Sequence, residues 1–311
     1  METQNELHVV LGAGQIGSRL VQELVKQGKR VRQVRRSANG IPASVEACPG
    51  DIRELAFAER AGEGASVIYD CMNPTYDKWD EQLLPIARGS LHAAESAGAK
   101  LVALDCLYMY GRPHGGIMHE ESSRQPCSHK GELRVELEEL RMRSAARVAI
   151  ARAGDFFGAG LNQSLFSERF FERALAGKAV EVFGDPDLPH SYTYAQDVVT
   201  ALATLGAREQ TGIWHVPTCH HGTTRELIDR VGVALGLGPL KLMRVPKLVL
   251  RGMGLFNPIM REMVEMVYQW EVAYVVDDSK FRKAFGIEAT PTEQAVREVA
   301  SWARKLPRQA A

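Results

Sequence analysis

The sequence predicts an α/β fold: a doubly wound parallel sheet, followed by a smaller and less regular C-terminal part. Three observations carry that reading. Short apolar runs alternate with amphipathic helical stretches through the first half of the chain. A G-x-G-x-x-G turn joins the first run to the first helix. The opening strand–turn–helix–strand unit has the length of one βαβ unit, about 30 residues.

Leu7 to Leu11 reads as a short buried strand, closed by the turn Gly12-Ala13-Gly14-Gln15-Ile16-Gly17. Ile16, Leu20 and Leu24, with Val21 and Val25, recur at i,i+4 and make one apolar helix stripe. Gly28 ends that helix, and Val31 to Val34 starts a second strand. Ser66 to Asp70, Lys100 to Leu104 and Arg147 to Arg152 read as further strands. Residues 77–98 and Lys130 to Arg143 read as the helices between them. Such alternation means a parallel sheet covered on both faces.

A length of 311 residues suggests about two domains. The expected division is a dinucleotide-binding domain over 1–155, to which the chain returns around 192–217, and a substrate-binding domain over 156–191 and 218–311. Charge is balanced, 38 Lys+Arg against 38 Asp+Glu. That excludes a generally basic binder of nucleic acid or membrane surfaces, though not a local basic site. Hydrophobic residues are 45% of the chain, enough for a sizeable core. The five cysteines are scattered, odd in number and without a CxxC pair, which fits free thiols in a reducing compartment. The N-terminus METQNELHVV lacks an apolar signal region, and no apolar run approaches a membrane span. The expectation is a soluble cytoplasmic protein with a small-molecule substrate and no nucleic-acid or membrane partner.

The glycine turn is the chemical signature. Its first glycine makes the tight turn, its second lets a pyrophosphate approach, and its third lets helix and strand pack closely. At the end of the second strand, a carboxylate would bind an adenosine ribose hydroxyl. Arg35-Arg36-Ser37 stand there instead, in a run where five of the eight residues 29–36 are basic. A guanidinium fork suits a phosphate. Strand alternation puts Arg32, Val34 and Arg36 on one face, so Arg36 is the first candidate for a 2′-phosphate, helped by Arg35 and Ser37. This favours NADP over NAD.

Further segments extend the pattern. Read with the glycine turn, they make the chain resemble the extended, here atypical, short-chain dehydrogenase/reductases of the NAD-dependent epimerase/dehydratase family. Pro49-Gly50-Asp51-Ile52 is similar to the family's segment after the third strand, where Asp51 would bind the adenine amino group. Leu107-Tyr108-Met109-Tyr110-Gly111 resembles the segment after the fifth strand. Arg152 to Gly158 resembles the segment beside the nicotinamide. Gly184-Asp185, Ser191 to Val198, and Gly286 to Pro291 with the last helix ending near Trp302 follow in the family's order. The resemblance implies a Rossmann-type sheet, a nicotinamide dinucleotide and a homodimer.

The departures are informative. The glycine motif is one residue shorter than the family's usual form. Family members carry a Ser after strand five and a Tyr-x-x-x-Lys on the next helix, and no tyrosine here has Lys four residues later. The resemblance places Cys106 at the serine, Lys130 at the tyrosine, Arg134 at the lysine and Glu138 at a following acidic position. Lys130, Arg134 and Glu138 share one helix face by spacing. Two readings stand: a solvated charged stripe, or a rebuilt active site in which Arg134 holds ribose hydroxyls and depresses the Lys130 pKa. Cys106 is either packing or a thiolate activated by those cations. Tyr108 is a loop phenol able to supply the missing acid. His129 is expected to point outward. His190 replaces the arginine that, in the family's sugar-nucleotide enzymes, lies near the substrate diphosphate. His220-His221 diverge, so no metal is expected.

The expected cofactor residues are thus Gly12, Gly14, Gln15, Ile16, Gly17, Arg35, Arg36, Ser37, Asp51, Ile52, Cys71 and Lys130. The expected catalytic residues are Lys130, Arg134, Cys106 and Tyr108. Leu242 to Trp270, rich in Met, Leu, Val and Phe, reads as core, a subunit interface or an adaptable pocket. The functional reading is an NADP(H)-binding oxidoreductase or epimerase/dehydratase-like enzyme acting on a small, partly apolar carbonyl or alcohol. The alternatives are a non-catalytic redox sensor or regulator, and a non-redox lyase or isomerase.

Overall fold

A computed structural model describes residues 6–113 and 115–307. The first five residues, read above for a signal, lie outside them. Two compact units are present. The first is drawn from residues within 1–109, 130–152 and 198–216; the second from 110–129, 153–197 and 217–311.

The first unit holds a seven-stranded sheet in which every pair is parallel. Its strands are β1 (Leu7–Leu11), β2 (Arg30–Arg35), β3 (Glu46–Pro49), β4 (Ala65–Asp70), β5 (Lys100–Asp105), β6 (Arg147–Arg152) and β10 (Gly212–His215). The order β10-β6-β5-β4-β1-β2-β3 reverses between β1 and β4, the doubly wound arrangement. Helices α1 (Gly17–Lys26), α2 (Leu55–Gly62), α3 (Trp79–Ala97) and α4 (His129–Met142) connect successive strands. The i,i+4 stripe of α1 buries Leu20, Val21 and Leu24, as its spacing predicts. Val9, Leu11, Ile68, Leu101 and Ile150 fill one core layer with Ala58, Ala61, Ala93 and Ala94 of the helices. Trp79, Leu83 and Ala87 of α3 pack against Leu133 and Leu137 of α4. That packing turns one face of α4 inward, which decides the fate of its charged residues.

The second unit carries two small parallel pairs. One joins β7 (Asp155–Phe157) to β9 (Tyr192–Tyr194), the other β8 (Val180–Phe183) to β11 (Leu242–Val245). Helices α5 (Glu168–Leu175), α7 (Thr224–Leu235) and α11 (Thr292–Ala303) enclose an aromatic core of Phe157, Phe166, Phe170, Phe171, Tyr192 and Tyr194. Between them run α6 (Ala195–Gly206), which continues into the first unit, and α8 (Lys247–Gly254), α9 (Pro258–Met266) and α10 (Ser279–Phe285).

The stretch read as core, interface or pocket does not behave as core over its first half. Met243, Leu248, Val249, Met253, Leu255, Phe256 and Ile259 are exposed, whereas Leu250, Met266 and Val267 are buried. Two short helices cannot bury apolar residues on all sides, and only the faces turned to the unit are covered.

Candidate functional site

The residues singled out in the sequence collect at the carboxyl ends of the first unit's strands. The glycine turn leaves β1 with Gly12 at φ +100°, a left-handed conformation that suits glycine. A Cβ there would meet Met72 at 2.9 Å and the Cys71 carbonyl oxygen at 3.3 Å. A Cβ on Gly17 would come within 2.6 Å of the Gly12 carbonyl oxygen, so the helix packs directly on the turn. Gly14 has nothing within 4 Å of its Cβ position. No side chain caps the start of α1 at Ile16, and its first turn holds no acidic residue. Open backbone beside uncapped amides is the cradle a pyrophosphate requires. Gln15 lies in the turn, its carbonyl accepting from Arg19. Cys71 closes the wall of the turn, with its amide donating to the Leu11 carbonyl. Burial holds its thiol protonated, far above the usual range.

The end of β2 lies beside this turn, because the Gly12 amide donates to the Val34 carbonyl. Lys29 pairs with Glu6. Arg32 bonds Glu46 and the Ala61 and Glu63 carbonyls where α2 ends, so it is structural. Arg35 is half-buried, and Arg36 and Ser37 are exposed. Asp51 lies close enough to Arg36 that the guanidinium helps lower its pKa; the main cause is its hydrogen bond from Arg53. Asp51 therefore stays ionised, with Arg53 gripping both carboxylate oxygens. Ile52 is buried behind it.

The charged face of α4 differs from a solvated stripe. Lys130, Arg134 and Glu138 are all buried, and so is Arg141. Arg134 Nη1 donates to Asp105 Oδ1 at 3.0 Å and Nη2 to Asn73 Oδ1 at 2.6 Å. Its guanidinium lies 4.2 Å over the Trp79 indole. Arg141 donates to Asp105 Oδ2 at 3.1 Å and to Asp70 Oδ2 at 3.0 Å. Ser90 and the Met72 amide complete the Asp70 carboxylate, and the Cys106 amide donates to Asp105. Glu138 pairs with Arg152. Arg134 is thus an anchor of the strand ends, with its charge balanced by Asp105, in place of the outward ribose ligand that the resemblance implies. Cys106 is also corrected. Burial outweighs the Arg134 charge and pushes its thiol up to about 12, so a resting thiolate is excluded.

Lys130 keeps a different environment. Its ammonium lies 5.3 Å from the centre of the Tyr76 ring. The Tyr76 and Tyr108 hydroxyls are 2.6 Å apart. Tyr108 stacks on Trp79, and Tyr76 meets the same indole edge-on. Lys130, Tyr76 and Tyr108 therefore form one cluster over the Arg134–Trp79 platform. Tyr76 was not legible in the sequence, because it precedes α3 and matches no motif. Asp70 and Asp105 had a signal, each being an acid that ends an apolar strand. His129 is exposed, as its place on the helix predicts.

In the second unit His190 is buried and stacked on Trp270, with ring centres 5.4 Å apart. Its Nδ1 faces the Gln269 carbonyl at 3.2 Å and its Nε2 faces Asp155 Oδ2 at 2.9 Å. His220 and His221 diverge, one to the Thr223 carbonyl and the other to Ser191 Oγ.

Comparison with known proteins gives the family. The model of the NAD dependent epimerase/dehydratase family matches residues 8–216. The chain belongs to the NAD-dependent epimerase/dehydratase family. Members of that family are enzymes, and this chain is one of them. Solved structures share its fold. The dTDP-glucose 4,6-dehydratase of Bacillus anthracis, solved with NAD, has a TM-score of 0.78 at 16% identity, over 97% of each chain. The UDP-N-acetylglucosamine 4-epimerase of Bacillus cereus has a TM-score of 0.77 at 15% identity, over 97% of this chain and 98% of that one. The enzyme WbmG of Bordetella bronchiseptica, solved with NAD, has a TM-score of 0.75 at 22% identity, over 97% and 95%. No curated protein matches the chain in sequence. Among the described residues no helix is long and apolar enough to cross a membrane.

Proposed function

We propose that this epimerase/dehydratase-family enzyme binds NADP(H) and oxidises or reduces a small, partly apolar alcohol or carbonyl compound. The observation that carries the reading is the Lys130–Tyr76–Tyr108 cluster, which stands where a Tyr-Lys pair is missing. The uncapped start of α1 and the open face at Gly14 would hold the pyrophosphate, and Arg36, Arg35 and Ser37 the 2′-phosphate. NAD is the dinucleotide named with the structural neighbours; the arginines support the phosphorylated form here.

The dinucleotide supplies or removes a hydride; the chain handles the proton. In the reducing direction the Tyr108 hydroxyl gives its proton to the carbonyl oxygen as the carbon gains hydride, giving an alcohol. The Tyr76 hydroxyl, 2.6 Å away, returns a proton to Tyr108 and regains one from solvent water. The Lys130 ammonium, over the Tyr76 ring, attracts the negative charge that develops on a phenol oxygen. Arg134 and Asp105 position this cluster by fixing Trp79 and α4.

A neutral substrate follows from His190. The histidine is buried and faces Asp155, so no guanidinium stands where the family's sugar-nucleotide enzymes place an arginine beside a diphosphate. The test is a screen for label transfer from deuterated NADPH to neutral ketones and aldehydes, alongside nucleotide sugars. Transfer to a neutral carbonyl is expected. Transfer to nucleotide sugars alone overturns the substrate class, and none at all, despite tight nucleotide binding, overturns the oxidoreductase reading.

A further inference from the structure

The strongest unabsorbed feature is the helical hairpin α8–α9 of the second unit. Gly254 lets the two helices meet closely, because a Cβ there would stand 2.9 Å from the Arg261 Cα. Its turn carries Leu255 and Phe256, 80% and 91% exposed, with Leu248 at 77% on the preceding helix. Large apolar side chains are rarely this exposed side by side on a soluble surface. The charge around them is one-sided. Residues 241–261 contain Lys241, Arg244, Lys247, Arg251 and Arg261 and no acidic residue, in a chain whose charges cancel as a whole. Arg244 pairs with Asp185 and Lys247 with Glu271. Lys241, Arg251 and Arg261 are exposed, and Arg261 pairs with Glu262. Glu262 and Glu265 follow the segment, half-buried, and Glu265 accepts from the His129 amide.

We propose that this hairpin docks on an anionic phospholipid bilayer. Leu255 and Phe256 would enter the boundary between headgroups and acyl chains, and the basic residues would meet the anionic headgroups. A second copy of the chain fits less well. A two-fold interface sets a patch against itself, and here that brings Arg251 and the other cations of the segment against their own like charges, with Arg244, Lys247 and Arg261 already paired to Asp185, Glu271 and Glu262. Balanced total charge conceals such a site, which is why the whole-chain arithmetic pointed away from membranes.

The test is sedimentation of the full chain with phosphatidylcholine vesicles, with and without phosphatidylserine. Binding is expected to the mixed vesicles only and to fall with salt. Leu255→Ser with Phe256→Ser, and separately Lys241→Glu with Arg251→Glu, should each lower partitioning about tenfold or more. All four side chains are exposed, so circular dichroism and melting should match the parent. Phe256→Trp gives a positive readout: blue-shifted emission on adding the mixed vesicles. No sedimentation with either vesicle, or equal sedimentation with both, overturns the proposal. So does a dimer that dissociates in the Phe256→Ser variant while vesicle binding is absent.

Discussion

Asp105→Asn is the sharpest perturbation of the buried network. Asp105 sits at the end of β5 with its side chain fully buried, and accepts from Arg134, Arg141 and the Cys106 amide. With Asp70 it balances two guanidiniums, two negative charges against two positive. The asparagine keeps the shape but leaves one buried cation unbalanced and turns an amide donor toward a guanidinium. Breaking a buried pair from one side costs about 3–5 kcal/mol. That is a large part of a typical total stability of about 5–15 kcal/mol. In a chain of this size it corresponds to a fall in melting temperature of roughly 10 °C. Calorimetry and urea titration measure it. The reference is the triple variant Asp105→Leu, Arg134→Met, Arg141→Met, which removes three of the four charges but strands Asp70; adding Asp70→Leu removes all four and should recover most of the loss. A loss below about 1 kcal/mol for Asp105→Asn would show the pairs to be hydrated and would refute the argument.

Arg36→Ala should weaken NADPH binding about tenfold more than NADH binding, since it removes a charge-assisted contact to one phosphate; equal loss in calorimetric titrations contradicts the assignment. His8 should make the protein acid-sensitive. Burial, aided by Lys29 and opposed by Glu6, lowers its pKa from 6.5 to about 4. The unfolded chain therefore binds the extra proton first, so stability present above pH 6.5 is lost as pH falls toward 4, by up to about 3 kcal/mol. Urea midpoints of the parent and His8→Gln between pH 7 and 4.5 should diverge accordingly.

The sheet was legible because each strand is a short apolar run bounded by a helix with one apolar stripe, as from Leu7 to Val34. The glycine turn was legible because Gly12 and Gly17 meet steric demands that only glycine meets and Gly14 leaves its backbone open. The charged face of α4 was not. The i,i+4 spacing of Lys130, Arg134 and Glu138 says that they share a face, but not which way it turns. Trp79 and Leu133 decide that by packing α4 on α3. Asp105 and Asp70 then become necessary partners, and an acid ending each apolar strand was their one trace in the sequence. The pairing of Tyr76 with Tyr108, 32 positions apart, has no sequence signal. The exposed turn at Leu255-Phe256 was hidden because apolar composition does not distinguish core from surface.

The central claim is that Tyr108 moves the proton in a redox step while Lys130 stabilises the negative charge that develops. It is tested most directly with Lys130→Met and Tyr108→Phe, each assayed in single turnover with deuterated NADPH and the best neutral carbonyl acceptor. The account predicts that label transfer slows by about 100-fold or more in each variant, while the nucleotide dissociation constant stays near the parent value. Transfer that survives both substitutions at the parent rate would contradict it.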